Sequence, residues 1–75
     1  MVFELLQQML AEALACDEDE ITLSGDLRCD LGLSDAELEN VTDAMAAELG
    51  FGYDRVELDA VRTVADLVRL IASLV

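Results

Sequence analysis

The 75-residue chain contains no proline, no histidine and no lysine. Without histidine, Cys16 and Cys29 match no zinc or redox motif, and the twelve residues between them give no ligand spacing. Lacking both histidine and lysine, the chain has few of the side chains that general acid–base or nucleophilic catalysis uses, which argues against an enzyme. No proline-rich, repetitive or low-complexity stretch marks a linker, apart from one acidic run. Residues 1–75 are therefore expected to form a single domain, near the lower size limit for a self-sufficient core. Positive charge is equally scarce. Four arginines face seventeen aspartates and glutamates, and a net charge of −13 would repel nucleic acid. The opening MVFELLQQML lacks a cationic n-region and carries Glu4 inside its apolar stretch, and no run approaches the length of a membrane span. Neither a leader nor a membrane partner is expected, and the cytoplasm is the default compartment. There both thiols should be reduced, and buried or half-buried.

What is present is apolar and patterned. A hydrophobic fraction of 55% is too high for a disordered tail, so a compact acidic domain with a basic partner is expected. From Val2 to Ala15, the residues Val2, Leu6, Met9, Leu10 and Leu14 recur at helical spacing, with Glu4, Gln8 and Glu12 opposite. Asp17 to Glu20 would sit badly beside the negative end of that helix, so it should stop before or early in the run. A long connection to Leu33 follows, in which single apolar residues at Ile21, Leu27 and Leu31 favour order. A second helix carries Leu38, Val41, Met45 and Leu49 on one face, with Gly50 at its C-cap. Val56 to Ala60 supports about a turn. Thr63 and Asp66 then cap a last helix lined by Val64, Leu67, Val68, Ile71 and Leu74.

The stretch DLGLSDAEL, residues 30–38, sets Ser34 beside Asp35 at the start of the second helix. With Ser34 as N-cap, Glu37 falls at N3 and completes a capping box, and Leu33 and Leu38 take the places of a hydrophobic staple. Asp35 is then the first helical residue, where the dipole favours a carboxylate and the side chain points outward. On this reading Ser34 is architecture.

The whole chain resembles the acyl carrier protein family. The resemblance rests on ITLSGDLRCDLG before the second helix, on LENVTDAMAAELGF within it, and on VRTVADLVRLI near the end. It implies an all-α bundle of three main helices plus one short helix, with a long ordered loop between helices one and two. It also implies a serine that carries 4′-phosphopantetheine, in an Asp-Ser-Leu that follows Asp-Leu-Gly and one further residue. Those three places here read Ser34, Asp35 and Ala36. The attachment position thus falls on Asp35, which cannot hold the group as a stable phosphodiester, and Ala36 removes an apolar contact for the modifying enzyme. The alternative is a one-residue slip that makes Ser34 the attachment point.

Asp35, Glu39 and Asp43 fall at i, i+4 and i+8, a spacing at which like charges cost about 0.2–0.5 kcal/mol per pair in an isolated helix. They are either a plain solvated face or a docking stripe for basic surfaces of acyl-metabolism enzymes, the role the second helix has in the resembling family. An EF-hand starting at Asp17 fails, because it would need glycine at Thr22 and an oxygen ligand at Ile21. No metal site is expected. Arg55, Arg62 and Arg69 recur every seven residues and are expected to pair with surface acids.

Together these readings give a monomeric, non-enzymatic docking protein of acyl or thioester metabolism, without a prosthetic group at the usual position. Two alternatives stand beside it: a working carrier with 4′-phosphopantetheine on Ser34, and an acidic helical regulator or decoy of basic protein surfaces. The charge alone makes one prediction. Millimolar magnesium or calcium, or moderate salt, should raise the melting temperature by relieving self-repulsion. A melting temperature flat across both titrations would refute it.

Overall fold

Apolar periodicity builds the first helix, α1 (Val2–Leu14), in the computed structural model, which describes residues 2–75. Leu6, Leu10 and Ala11 are buried on its inner face, while Glu4, Gln8 and Glu12 face solvent. The helix stops one residue earlier than its apolar pattern suggests. Ala15 turns into the left-handed region at φ 54°, Cys16 N–H donates to the Ala11 carbonyl at 3.0 Å, and Ala15 N–H reaches the Glu12 carbonyl at 3.4 Å. This pair of bonds closes the helix as glycine usually does, at the steric cost of a Cβ in a left-handed position. The acids that follow form a 3-10 turn, Glu18–Glu20, in which Glu20 Oε2 accepts from Asp17 N–H at 3.3 Å. Gln7 of α1 fastens that turn by donating from Nε2 to the carbonyls of Glu18 (2.8 Å) and Ile21 (3.0 Å).

Residues 21–33 form an ordered connection, as the apolar anchors imply. Ile21, Leu27 and Leu33 are buried, and Leu31 packs half-buried against the core. Backbone bonds zip this loop to the start of the last helix and the residue pair before it: Leu27 N–H to the Arg62 carbonyl (2.9 Å), Val64 N–H to the Gly25 carbonyl (3.0 Å) and Ala65 N–H to the Leu23 carbonyl (2.9 Å). A loop that satisfies its backbone groups in this way can pass over a core without desolvation loss. Cys16 is half-buried and its thiol is pushed up by partial burial and by Glu20 and Asp17, so it is a poor nucleophile. Cys29 departs from expectation. It is exposed, in a surface turn where its N–H is committed to Asp26 Oδ1 (2.8 Å).

The second helix, α2 (Asp35–Leu49), buries Leu38, Val41, Thr42 and Met45. Thr42 is tolerated there because its hydroxyl donates to the Leu38 carbonyl at 2.8 Å. Gly50 caps the helix at φ 74° and donates to the Ala46 carbonyl at 2.8 Å. Leu49 shares the apolar spacing but lies at the helix end, where it is 37% exposed. A short helix, α3 (Arg55–Asp59), buries only Leu58 and leaves Val56 77% exposed. The last helix, α4 (Val64–Leu74), begins at the Thr63–Asp66 capping box and buries Val64, Leu67 and Ile71. The architecture is all-helical, with α1 packed against both α2 and α4. No described helix is long and apolar enough to cross a membrane.

Two carboxylates each fasten a local turn, Asp26 within the loop and Asp66 at the start of α4. Backbone N–H groups of Cys29 and Arg28 keep the Asp26 carboxyl below the usual carboxylate range, and those of Thr63 and Arg62 do the same for Asp66. A lowered folded pKa stabilises the fold above the ordinary carboxylate value, and that stabilisation is lost as pH falls through the folded value. Asp26→Asn keeps an acceptor and removes one titration, so denaturation measured from neutral to strongly acidic pH should show a smaller acid-side loss than in the parent. Parallel acid-side losses in the two proteins would refute this.

Candidate functional site

The start of α2 is organised by reciprocal hydrogen bonds. Ser34 has extended backbone (φ −79°, ψ 166°), its Oγ accepts from Glu37 N–H at 3.2 Å, and Glu37 Oε1 accepts from Ser34 N–H at 3.2 Å. Leu33 (3% exposed) and Leu38 (0%) are buried on either side in the staple positions. Ser34 is therefore the N-cap that its spacing implies, with its oxygen engaged by a backbone amide. As a residue it is still exposed.

Asp35 is the first helical residue, and its side chain is 74% exposed. It is not free. Arg28 reaches from the loop and donates to Asp35 Oδ1 from both Nη2 (2.9 Å) and Nε (3.1 Å), while its Nη1 lies 3.5 Å from the Val61 carbonyl. An exposed pair of this kind is worth roughly 0.2–1 kcal/mol, so it orients the carboxylate more than it stabilises the fold. Ala36, the next residue, is exposed and offers only a methyl group.

The other two acids of the stripe also have internal partners. Glu39 pairs with Arg55 at 3.4 Å, and Asp43 Oδ1 accepts from the Tyr53 hydroxyl at 2.6 Å. The stripe follows one side of α2, yet each member is tied to another part of the chain: the loop before α2, α3, or the segment between α2 and α3. Burial, the Asp43 hydrogen bond and the charges of Asp43 and Glu39 push the Tyr53 phenol up to about 12, against a smaller opposing effect of Arg55. Phe51 sits beside it, with ring centroids 6.4 Å apart. Arg69 pairs with Asp66 at 3.7 Å, so Arg55 and Arg69 meet surface acids as expected, whereas Arg62 takes part in none of the ion pairs among the described residues.

Arg28 and Tyr53 are the residues that sequence patterning missed. Both act across turns, where spacing carries no signal for a contact. No group of three or more metal-ligating side chains converges among the described residues.

Comparison with known proteins bears on the same region. A protein-family model described as "Phosphopantetheine attachment site" matches residues 4–71. An acyl carrier protein of Saccharopolyspora erythraea is 34% identical over 74 residues, covering 99% of this chain and 78% of that protein. Acyl carrier proteins of Petrotoga mobilis and Coprothermobacter proteolyticus are 32% and 31% identical over 72 residues, covering 96% of this chain and 85% and 88% of theirs.

Tyr53 is the sole tyrosine, so its ionisation can be followed alone by ultraviolet absorbance. The parent should titrate at about 12, and Asp43→Ala should move the midpoint part of the way back towards 10, since the burial contribution remains. An unchanged midpoint would mean that the hydrogen bond does not persist in solution.

Proposed function

Because the chain belongs to the acyl carrier protein family, whose members carry acyl groups for enzymes and are not enzymes themselves, we propose that it is a docking protein of acyl or thioester metabolism that lacks the prosthetic group at position 35. The observation that carries this reading is the exposed carboxylate of Asp35 at the first helical residue, paired with Arg28 and preceded by a serine engaged as the cap. A phosphodiester needs a hydroxyl. At position 35 there is none, and the nearest one accepts a backbone hydrogen bond. The residues present do not fit 4′-phosphopantetheine at that position.

Asp35, Glu39 and Asp43 serve on this reading as the docking stripe for basic surfaces of acyl-metabolism enzymes. Their pairing with Arg28, Arg55 and Tyr53 makes such docking an exchange of partners, and therefore weak and sensitive to salt. The large negative charge opposes self-association and favours a monomer, and the reading places the protein in the cytoplasm. A carrier modified on Ser34 is the second reading, supported by the exposure of that residue.

Intact-protein mass spectrometry after incubation with coenzyme A and a permissive phosphopantetheinyl transferase separates the two. The parent should show no adduct. Exchanging the pair, Ser34→Asp with Asp35→Ser, keeps an N-cap acceptor and sets a hydroxyl at the exposed position, so the double variant should gain the adduct and stay folded. Ser34→Ala alone should cost about 1 kcal/mol through the lost cap. A parent that is modified readily and loses the adduct in Ser34→Ala would establish the second reading instead.

A further inference from the structure

Away from the start of α2, the contact between α1 and α2 leaves an apolar seam open to solvent. Val2, Leu5, Met9 and Ala13 follow helical spacing along one side of α1. Two open depressions lie there: Val2 and Leu5 border Leu49 at one end, and Met9 and Ala13 border Val41 and Ala44 at the other. At 1.5 Å of rise per residue the seam runs for about 17 Å, some three turns of a helix. Its acidic edge is Glu4 and Glu12, both exposed. The arginine ion pairs among the described residues engage Asp35, Glu39 and Asp66, and neither Glu4 nor Glu12 takes part in one. The seam thus combines an apolar floor with carboxylates that no arginine pairs with among the described residues, whereas the α2 stripe has its partners already.

We propose that the α1–α2 seam is a second docking surface, and that its occupant is a basic amphipathic helix of a partner protein. The helix lays apolar side chains along Leu5, Met9 and Ala44 and sets lysine or arginine against Glu4 and Glu12. Charge selects this occupant. A second copy of the chain would bring the same acids and a further −13 to the interface. Ala13 and Ala44 are exposed and small, so a helix can approach closely. The surface involves neither Ser34 nor Asp35, and it stands whether or not either carries a group.

The test uses the full chain and a synthetic helical peptide with leucines at i, i+4, i+7 and i+11 flanked by lysines, alongside a scrambled peptide of the same composition. The patterned peptide should bind more tightly than the scrambled one, by about tenfold or more, with amide shifts centred on α1 and Ala44. Ala13→Gln with Ala44→Gln, uncharged changes that fill the seam, should weaken the patterned peptide about tenfold and leave the scrambled one unaffected. Glu4→Gln with Glu12→Gln should mainly slow association at low salt. Equal binding of the two peptides, shifts centred on Asp35, Glu39 and Asp43, or full affinity in a folded Ala13→Gln/Ala44→Gln variant would each overturn the proposal. Were that variant unfolded, the shift map and the Glu4/Glu12 variant would decide the outcome.

Discussion

Turning Leu38, Val41 and Met45 into the core determines which face of α2 is left outside, and the chemistry at its start follows from that. Each residue of a helix is rotated about 100° from the last, so a one-residue change of register would swing all three out of the interior. Burial of such side chains is worth roughly 1.5–3 kcal/mol each, against about 1 kcal/mol for the Ser34 cap. The core therefore holds the register, and the capping box agrees with it. Ser34 faces the backbone of the first turn and Asp35 faces solvent because three apolar residues further along leave no other choice.

Electrostatics works against the fold and is only locally relieved. The chain has four arginines for seventeen acids, and two of the four stand beside the α2 stripe, Arg28 at Asp35 and Arg55 at Glu39. Exposed pairs contribute up to about 1 kcal/mol each, too little to offset the self-repulsion of so acidic a body. Their effect is positional. Arg28 links the loop to the first residue of α2 and approaches the Val61 carbonyl, and Arg55 links α3 to α2. With the hydrogen bond from Tyr53 to Asp43, these contacts hold the segment after α2, including a helix that buries only Leu58, against the stripe.

The helices were legible in the sequence because each carries its own instructions. Apolar spacing marks α1, α2 and α4, Ser34–Glu37 and Thr63–Asp66 mark two starts, and Gly50 marks a stop. The ordered loop was legible through Ile21 and Leu27, which would not stay exposed. Resemblance to known carriers supplied the architecture as a whole, and the family comparison agrees with it. The parts that escaped are those in which two distant segments meet. Gln7 fastening the acidic turn, Arg28 finding Asp35 and Tyr53 finding Asp43 all depend on how the helices are arranged. Cys29 escaped for a related reason. Its exposure follows from the Asp26 turn, and a hydrophobic ranking of side chains says nothing about turns.

Position 35 separates two properties that a modified serine would combine, a covalent handle and a negative charge. The carboxylate of Asp35 keeps the charge without the handle. The positive end of the α2 dipole favours an anion in the first turn, and Arg28 adds a guanidinium within 2.9 Å. Both would act on any anion at that place, whichever group bears it. On the proposed reading, partners meet a charged first turn at this surface, and the carboxylate at position 35 offers no hydroxyl through which a group could be carried into their active sites. Docking without delivery is the role proposed for such an arrangement, and it rests on the helices and contacts already described.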